Sequence, residues 1–344
     1  MRPLNVLLIS DDRPGHYHLS EGVVAAVARL RPIDTTKILM RRRRWIPGRT
    51  LSQLLAAGTP AAAILRAGYG LNPKDLPKAD LIVSAGGETL VPNAAMARLT
   101  GATNIFCGTL RRLPPEAFSL VVSSYAQHAN VARHIVALKP SGIDPDKLGR
   151  KRSADGSVRH MPPRLAGALI GGDSGHFHYQ AQDWRDLIAF MRNSYATHDT
   201  RWVVSTSRRS PASVADDLAA VAAEADSPIM EYIDFRTAGP GTLPRVFARA
   251  EAILCTEDSS TMMSEAVCAC LPVVGVAPRQ HSFKDEERAY RAFMRDSGWC
   301  RSLLLAELTP ERFVAELASV RPLQENHLDR LAATLRERLP QLLT

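Results

Sequence analysis

Short apolar runs alternate with longer helical stretches along nearly the whole 344-residue chain, and this rhythm constrains the fold more than any other feature. A short apolar run makes a strand buried on both faces. A helix between two such strands returns the chain to the same end of the sheet, so the pattern calls for an α/β fold with parallel sheets. In the first half the expected strands are Asn5–Ser10, Thr35–Leu39, Leu81–Ser84, Thr103–Cys107 and Leu120–Ser123, with helices over Ser20–Leu30, Leu51–Ala67 and Pro92–Leu99. Residues 147–164 (KLGRKRSADGSVRHMPPR) interrupt the rhythm, being charged, Gly/Ser-bearing and closed by Pro-Pro, and read as a linker or a mobile loop. A second set follows, with strands Leu165–Ile170, Arg201–Ser205, Ile229–Tyr232, Ala252–Cys255 and Val273–Val276. Thr309 caps a helix with Pro310 at its first position, and Gln324–Leu343 makes a last amphipathic helix. The expected division is a domain over 1–150, a linker over 151–164, a second domain over 165–322 and a C-terminal helix over 323–344. Two such Rossmann-like domains face each other across a cleft at the carboxyl ends of their strands, where ligands of open α/β sheets bind.

The segment Ala250–Pro278 carries the most chemistry. Its first strand ends in a polar turn, Thr256 to Ser260, from which a helix opens. Ser259, Ser260 and Thr261 at a helix start present backbone N–H groups and the positive end of the dipole, which suits a phosphate. Glu265 lies one turn beyond Thr261 on the same face, where a carboxylate can accept bonds from ribose hydroxyls. Phosphate at the cap and ribose one turn in describe a nucleotide or a nucleotide-sugar. Ser207, Arg208 and Arg209, after the Arg201–Ser205 strand, form a candidate diphosphate clamp, because guanidinium forks bond phosphate oxygens bidentately. Gly172, Asp173 and Ser174 offer backbone amides to the same diphosphate. Gln280 lies after the Val273–Val276 strand.

In the first half, the opening strand empties into Asp11-Asp12-Arg13-Pro14-Gly15-His16. Gly15 is expected to make the tight turn, and His16 to stand at a helix start as a general base. Asp12 is a rival base or the carboxylate that orients His16, and Glu88 is a further acid or base. Gly86 and Gly87 allow a ligand to approach, and Thr89 caps the helix that follows, on the acceptor side. Two H-x-H pairs, His16/His18 and His176/His178, raise a metal site, but alternate residues in a turn need not converge and no metal is assigned. Asp144-Pro145-Asp146 spells D-x-D but has a rigid proline inside and no apolar strand before it, so it reads as a turn.

The pieces D-x-R-P-G-H (Asp11–His16), G-G-E-T (Gly86–Thr89), L-I-G-G-D (Leu169–Asp173), S-T-S-R-R-S-P (Ser205–Pro211) and T-E-D-S-S-T-M-M-S-E-A (Thr256–Ala266) occur in this order over nearly the whole chain. Together they resemble the mitochondrial-fission ("elongated mitochondria") family, and Ala250–Pro278 also resembles the donor-site stretch of glycosyltransferases with the two-domain GT-B fold. The resemblance implies a GT-B-like architecture whose C-terminal helix crosses back onto the first domain. It further implies an acceptor in the first domain and a donor in the second. The expected activity is transfer from a nucleotide-diphosphate sugar, with UDP-sugar favoured, to a glycan or lipid-linked acceptor in cell-surface polysaccharide synthesis. The resembled GT-B enzymes generally need no metal and no cofactor. They place a P-x-Q-H stretch, here Pro278 to His281, at the donor sugar, although the loop after His281 departs from theirs. A nucleotide-sugar epimerase of the same fold is a second reading. A non-catalytic scaffold is a third, since plant members of the resembled family act in mitochondrial division by recruiting a dynamin-like protein.

A net charge of +8 favours anionic partners. Its densest cluster, Arg41, Arg42, Arg43 and Arg44, runs straight into Trp45, a combination suited to an anionic membrane surface or an anionic acceptor. Aromatic residues are only 6% and do not alternate with the basic ones, which argues against single-stranded nucleic acid as a partner. No apolar run reaches the ~20 residues that span a bilayer. The five cysteines have no C-x-x-C spacing and read as buried thiols. These features point to the cytoplasm, with peripheral contact at the inner face of the cell membrane.

Overall fold

The computed structural model describes residues 2–149 and 161–343. Residues 151–160 of the expected linker therefore lie outside the described residues. The chain divides into two compact units, one made of Met1–Gly142 with His327–Thr344, the other of Ile143–Asn326.

The first unit begins β1 (Leu4–Ser10), α1 (Pro14–Ala28), β2 (Ile33–Leu39), α2 (Gly48–Ala56), α3 (Ala61–Tyr69), β3 (Leu81–Ala85), α4 (Leu90–Thr100), β4 (Thr103–Cys107), β5 (Leu120–Ser123) and β6 (His134–Val136). All neighbouring strands are parallel, in the order β2-β1-β3-β4-β5-β6. β1 and β3 have almost every side chain buried, as strands covered on both faces must. The order reverses between β1 and β3, and that is where the first unit has its topological switch point.

The second unit contains β7 (Leu165–Leu169), β8 (Phe177–His178), α5 (Ala181–His198), β9 (Arg201–Ser205), α6 (Ala212–Ala222), β10 (Ile229–Ile233), α7 (Phe235–Ala238), α8 (Leu243–Arg249), β11 (Ala252–Thr256), α9 (Ser260–Cys268), β12 (Val273–Ala277), β13 (Gln280–His281), α10 (Asp285–Asp296), β14 (Cys300–Leu304) and α11 (Pro310–Ser319). Its main sheet runs β10-β9-β7-β11-β12-β14, again all parallel, which is the dinucleotide-fold order with the switch point between β7 and β11. β8 and β13 pair antiparallel as a separate two-stranded ribbon, joining Gln280 to His178 and His281 to Phe177.

The chain then returns to the first unit as α12 (His327–Arg338) and α13 (Pro340–Leu343). Leu328, Leu331 and Leu335 of α12 are buried in the same core as Val23 and Val27 of α1. Each such leucine contributes about 1.5–3 kcal/mol on burial, enough to fix the helix on the unit to which it returns.

Local chemistry moves some boundaries. The expected helix over Leu51–Ala67 is two helices, because Gly58 adopts φ +91° and Pro60 leads into α3. Helix α1 starts at Pro14 rather than Ser20, with the proline in its first turn. Gly15 is thus helical, and Asp12 makes the turn instead, at φ +65°. Four strands were not anticipated: β6, β8, β13 and β14. Asp144 caps the Pro145–Lys147 turn and, with Asp146, accepts both amide hydrogens of Asn326, so D-x-D is a structural turn here. All five cysteines are free thiols, and only Cys270 is not buried. No helix among the described residues is long and apolar enough to cross a membrane.

Candidate active site

In the first unit the switch point holds a histidine–carboxylate dyad. Asp11 follows β1 and is almost fully buried, with 3% of its side chain exposed, and its Oδ2 lies 2.7 Å from His16 Nδ1. His16, in the first turn of α1, keeps 31% of its side chain exposed. Burial works to raise the Asp11 carboxyl, but the hydrogen bond and charge of His16, with the Arg13 amide, prevail and hold it below the usual carboxylate range. An ionised carboxylate on Nδ1 fixes the ring and leaves Nε2 as the atom able to take a proton. The imidazole lies against Gly86, at the end of β3. A Cβ on Gly86 would fall 2.1 Å from His16 Nδ1, and the residue stands at φ +87°. A Cβ on Gly87 would fall 2.5 Å from the Arg111 guanidinium. The two glycines thus make room for the chain's own side chains rather than for a ligand.

Other residues expected in this region are committed elsewhere. Asp12 does not orient His16. Its positive φ sends the side chain outward, where 69% is exposed and Arg41 is 3.7 Å away. Glu88 is paired with Arg42, 3.1 Å from Nε to Oε2, so neither is a free acid, base or surface cation. Arg42 also donates to the Ile46 carbonyl. Burial, and next the Glu88 charge, push the neighbouring Tyr69 phenol up. Thr89 makes no side-chain cap. It is fully buried and donates to the Ala85 carbonyl at 2.8 Å. Arg41, Arg43, Arg44 and Trp45 are exposed, Trp45 by 70%.

In the second unit the corresponding switch point is internally braced. Asp258, in the turn after β11, has no exposed side-chain surface and accepts from Arg209 Nε at 2.8 Å. The Tyr179 hydroxyl donates to the other Asp258 oxygen at 3.4 Å. Burial, then Asp258, pushes the Tyr179 phenol far up, so it stays protonated as a donor. A Cβ on Gly171 would fall 2.1 Å from the Asp258 carboxylate, and one on Gly172 would fall 1.9 Å from the Arg209 carbonyl oxygen. The Gly171 amide donates to Thr256 Oγ1 at 2.7 Å. Arg209 is therefore an internal brace and not an open clamp, and the double glycine is where the brace passes. Arg208 is exposed and makes no ion pair among the described residues.

The remaining residues occupy the same strand ends. Ser207 Oγ accepts from the Arg209 amide at 3.2 Å, closing the turn after β9. Asp173 Oδ1 accepts from the Tyr179 amide at 2.9 Å, and Ser174 bridges to Phe177. Ser259 caps α9 through the Met262 amide at 3.3 Å. Ser260 and Thr261 open that helix, half-buried, and Glu265 follows one turn later with 4% exposed. Gln280, on β13, is exposed and its amide oxygen is 3.5 Å from Gln180 Nε2. Among the described residues no three His, Cys, Asp or Glu side chains are grouped to hold a metal ion.

Asp11, Arg111 and Asp258 stand at these strand ends without being expected there as site residues. Asp11 and Asp12 are indistinguishable until one of them takes a left-handed turn. Arg111 has no signal in the sequence beyond its place after β4, and Asp258 reads there as part of a polar turn.

Two parallel Rossmann-like sheets with a C-terminal helix returned to the first unit define a GT-B-like protein. Solved structures agree over the full length. MurG from Acinetobacter baumannii superposes with a TM-score of 0.54 at 14% identity, covering 97% of this chain and 100% of that one. A Listeria monocytogenes protein described as a UDP-N-acetylglucosamine 2-epimerase gives 0.59 at 10% identity over 99% and 98%. The UDP-GlcNAc 2-epimerase of Methanocaldococcus jannaschii, in complex with UDP-GlcNAc and UDP, gives 0.50 at 10% over 98% and 100%. At such identities the likeness establishes the fold. No curated protein matches the chain. The chain belongs to the mitochondrial fission ELM1 family, whose model matches residues 14–339.

Proposed function

We propose that this protein is a glycosyltransferase that moves a sugar from a nucleotide-diphosphate donor, a UDP-sugar in the favoured case, to a glycan or lipid-linked acceptor. The observation that carries the reading is the Asp11–His16 dyad at the first unit's switch point. In this reading His16 Nε2 takes the proton of the acceptor hydroxyl, and Asp11 stabilises the imidazolium that results. The second unit binds the donor, with Ser259, Ser260 and Thr261 at the diphosphate and Glu265 towards the ribose. The start of α9 and the exposed Arg208 meet the charge of the departing diphosphate, so that the reaction needs no metal. The UDP and UDP-sugar named with the Methanocaldococcus structure support a nucleotide-sugar donor. Exposed Arg41, Arg43, Arg44 and Trp45 support an acceptor presented at an anionic membrane surface, in cell-envelope polysaccharide synthesis.

The test is release of nucleoside diphosphate from a panel of nucleotide-sugars, with and without membrane extracts as acceptor, in the wild type and in His16→Ala. We expect release in the wild type that persists in EDTA and falls by about 10²–10⁴-fold in the variant. Conversion of the donor sugar without acceptor and without release of diphosphate would instead identify an epimerase. Equal release by both proteins would remove His16 from the mechanism.

A further inference from the structure

We propose that Arg111 binds an oxyanion carried by the acceptor beside its reacting hydroxyl, so that the substrate of the first unit is an anionic molecule. This rests on the reading of His16 as the base.

Three observations on the first unit carry the proposal. Arg111 follows β4, the second strand from β1 on the β3 side, and its guanidinium lies against Gly87 as the His16 imidazole lies against Gly86. The Cα atoms of these adjacent glycines are about 3.8 Å apart. The imidazole and the guanidinium thus pack against consecutive backbone positions. Secondly, Arg111 adopts φ +56°. An arginine seldom takes this left-handed conformation, and strain of that kind persists where the surroundings hold a side chain for use. Thirdly, Arg111 is exposed and makes no ion pair among the described residues, unlike Arg42, which Glu88 neutralises. A planar fork with unused donors takes two oxygens of a phosphate or carboxylate. Such an anion also places the hydroxyl beside it within reach of His16, so Arg111 contributes orientation as well as affinity.

The test uses the full-length protein with ring-labelled histidine. The His16 signal is assigned by its loss in His16→Gln and followed during titration with inorganic pyrophosphate, and in parallel with acetate. We expect a saturable shift of that signal. It should weaken about 10-fold or more in Arg111→Gly, which removes the guanidinium and relieves the backbone, and less in Arg111→Lys, which keeps the charge but not the fork. Gly87→Ala, whose Cβ takes the guanidinium's place, should weaken binding as Arg111→Gly does. A response to pyrophosphate alone assigns a phosphate, and one to acetate alone assigns a carboxylate. An unchanged affinity in Arg111→Gly, or no shift of His16 with either anion, would overturn the proposal. Nucleotide binding by the same samples separates the two readings. If no nucleotide binds while pyrophosphate still shifts His16 through Arg111, the donor assignment fails and the anion site stands.

Discussion

The two units place their strand-end motifs at the same topological position, the switch point of a parallel sheet, and build opposite things there. In the first, the strand end pairs a carboxylate with a partly exposed imidazole. Asp11 is buried, His16 is partly exposed, and Gly86 is empty of a side chain so that the ring can lie against it. In the second, the strand ends lock onto each other. Asp258 is buried under Arg209 and Tyr179, and Gly171 and Gly172 are empty so that this brace can pass. Similar sequence signatures, a glycine pair and a polar turn after a strand, therefore make room for a histidine–carboxylate dyad in one unit and for an arginine–aspartate brace in the other. Arg208, by contrast, is exposed and makes no ion pair among the described residues.

Adding one methyl group to each glycine loop separates the two arrangements most strongly. Gly86→Ala should displace His16 and cut turnover by about 10²-fold or more, with a stability loss near 1 kcal/mol from the left-handed backbone. Gly171→Ala should do the reverse, lowering the urea midpoint strongly because its Cβ strikes the Asp258 carboxylate. If Gly86→Ala kept full activity, the dyad would not be the reactive group.

A second test uses the asymmetry of the brace. Arg209→Ala leaves a fully buried carboxylate without its cation and should cost about 3 kcal/mol, whereas Asp258→Ala leaves an arginine that is 32% exposed and can turn to water, and should cost less. Equal losses in urea unfolding would mean that Asp258 is hydrated in solution.

The dyad has a smaller signature in acid. Because folding lowers the Asp11 pKa, its ionised form stabilises the native state above the unfolded value of about 3.9, and that contribution is lost as pH falls through the lower folded value. The melting-temperature gap between wild type and Asp11→Asn should be widest near neutrality and close as the pH falls from about 4 towards 2. A gap unchanged over that interval would show that the carboxylate charge contributes nothing. The smallest effect concerns thiols. Burial pushes Cys107 and Cys300 up to about 12, so in the native protein Cys270 should be the first to react with an aromatic disulfide at pH 8.

Much of this architecture was legible in the sequence. Thr103–Cys107, Leu120–Ser123 and Arg201–Ser205 are strands over the expected residues, since each is an apolar run that both faces of a parallel sheet bury. β6 was not legible because His134 and Ile135 follow a polar stretch and only three residues pair. β8 and β13 are two-residue strands set by their contact with each other, and neither has a pattern of its own. At the site, the type of residue could be read but the partner could not. Nothing local distinguishes Asp11 from Asp12, and the turn at Asp12 decides which one meets His16. Arg208 and Arg209 look alike, yet an aspartate 49 positions beyond Arg209 takes it inward.

Transfer of the proposed kind needs a nucleotide site in the second unit and a base in the first. It is tested most directly by thermal shift with UDP, GDP, CMP, ADP and dTDP, alone and as sugar conjugates, on the wild type, His16→Ala and Glu265→Ala. Ligands that bind the folded state alone raise the melting temperature in proportion to ln(1 + [L]/Kd). We expect one nucleotide to stabilise the wild type and His16→Ala alike, and Glu265→Ala markedly less. No shift from any nucleotide, or a shift abolished by His16→Ala and kept by Glu265→Ala, would contradict it.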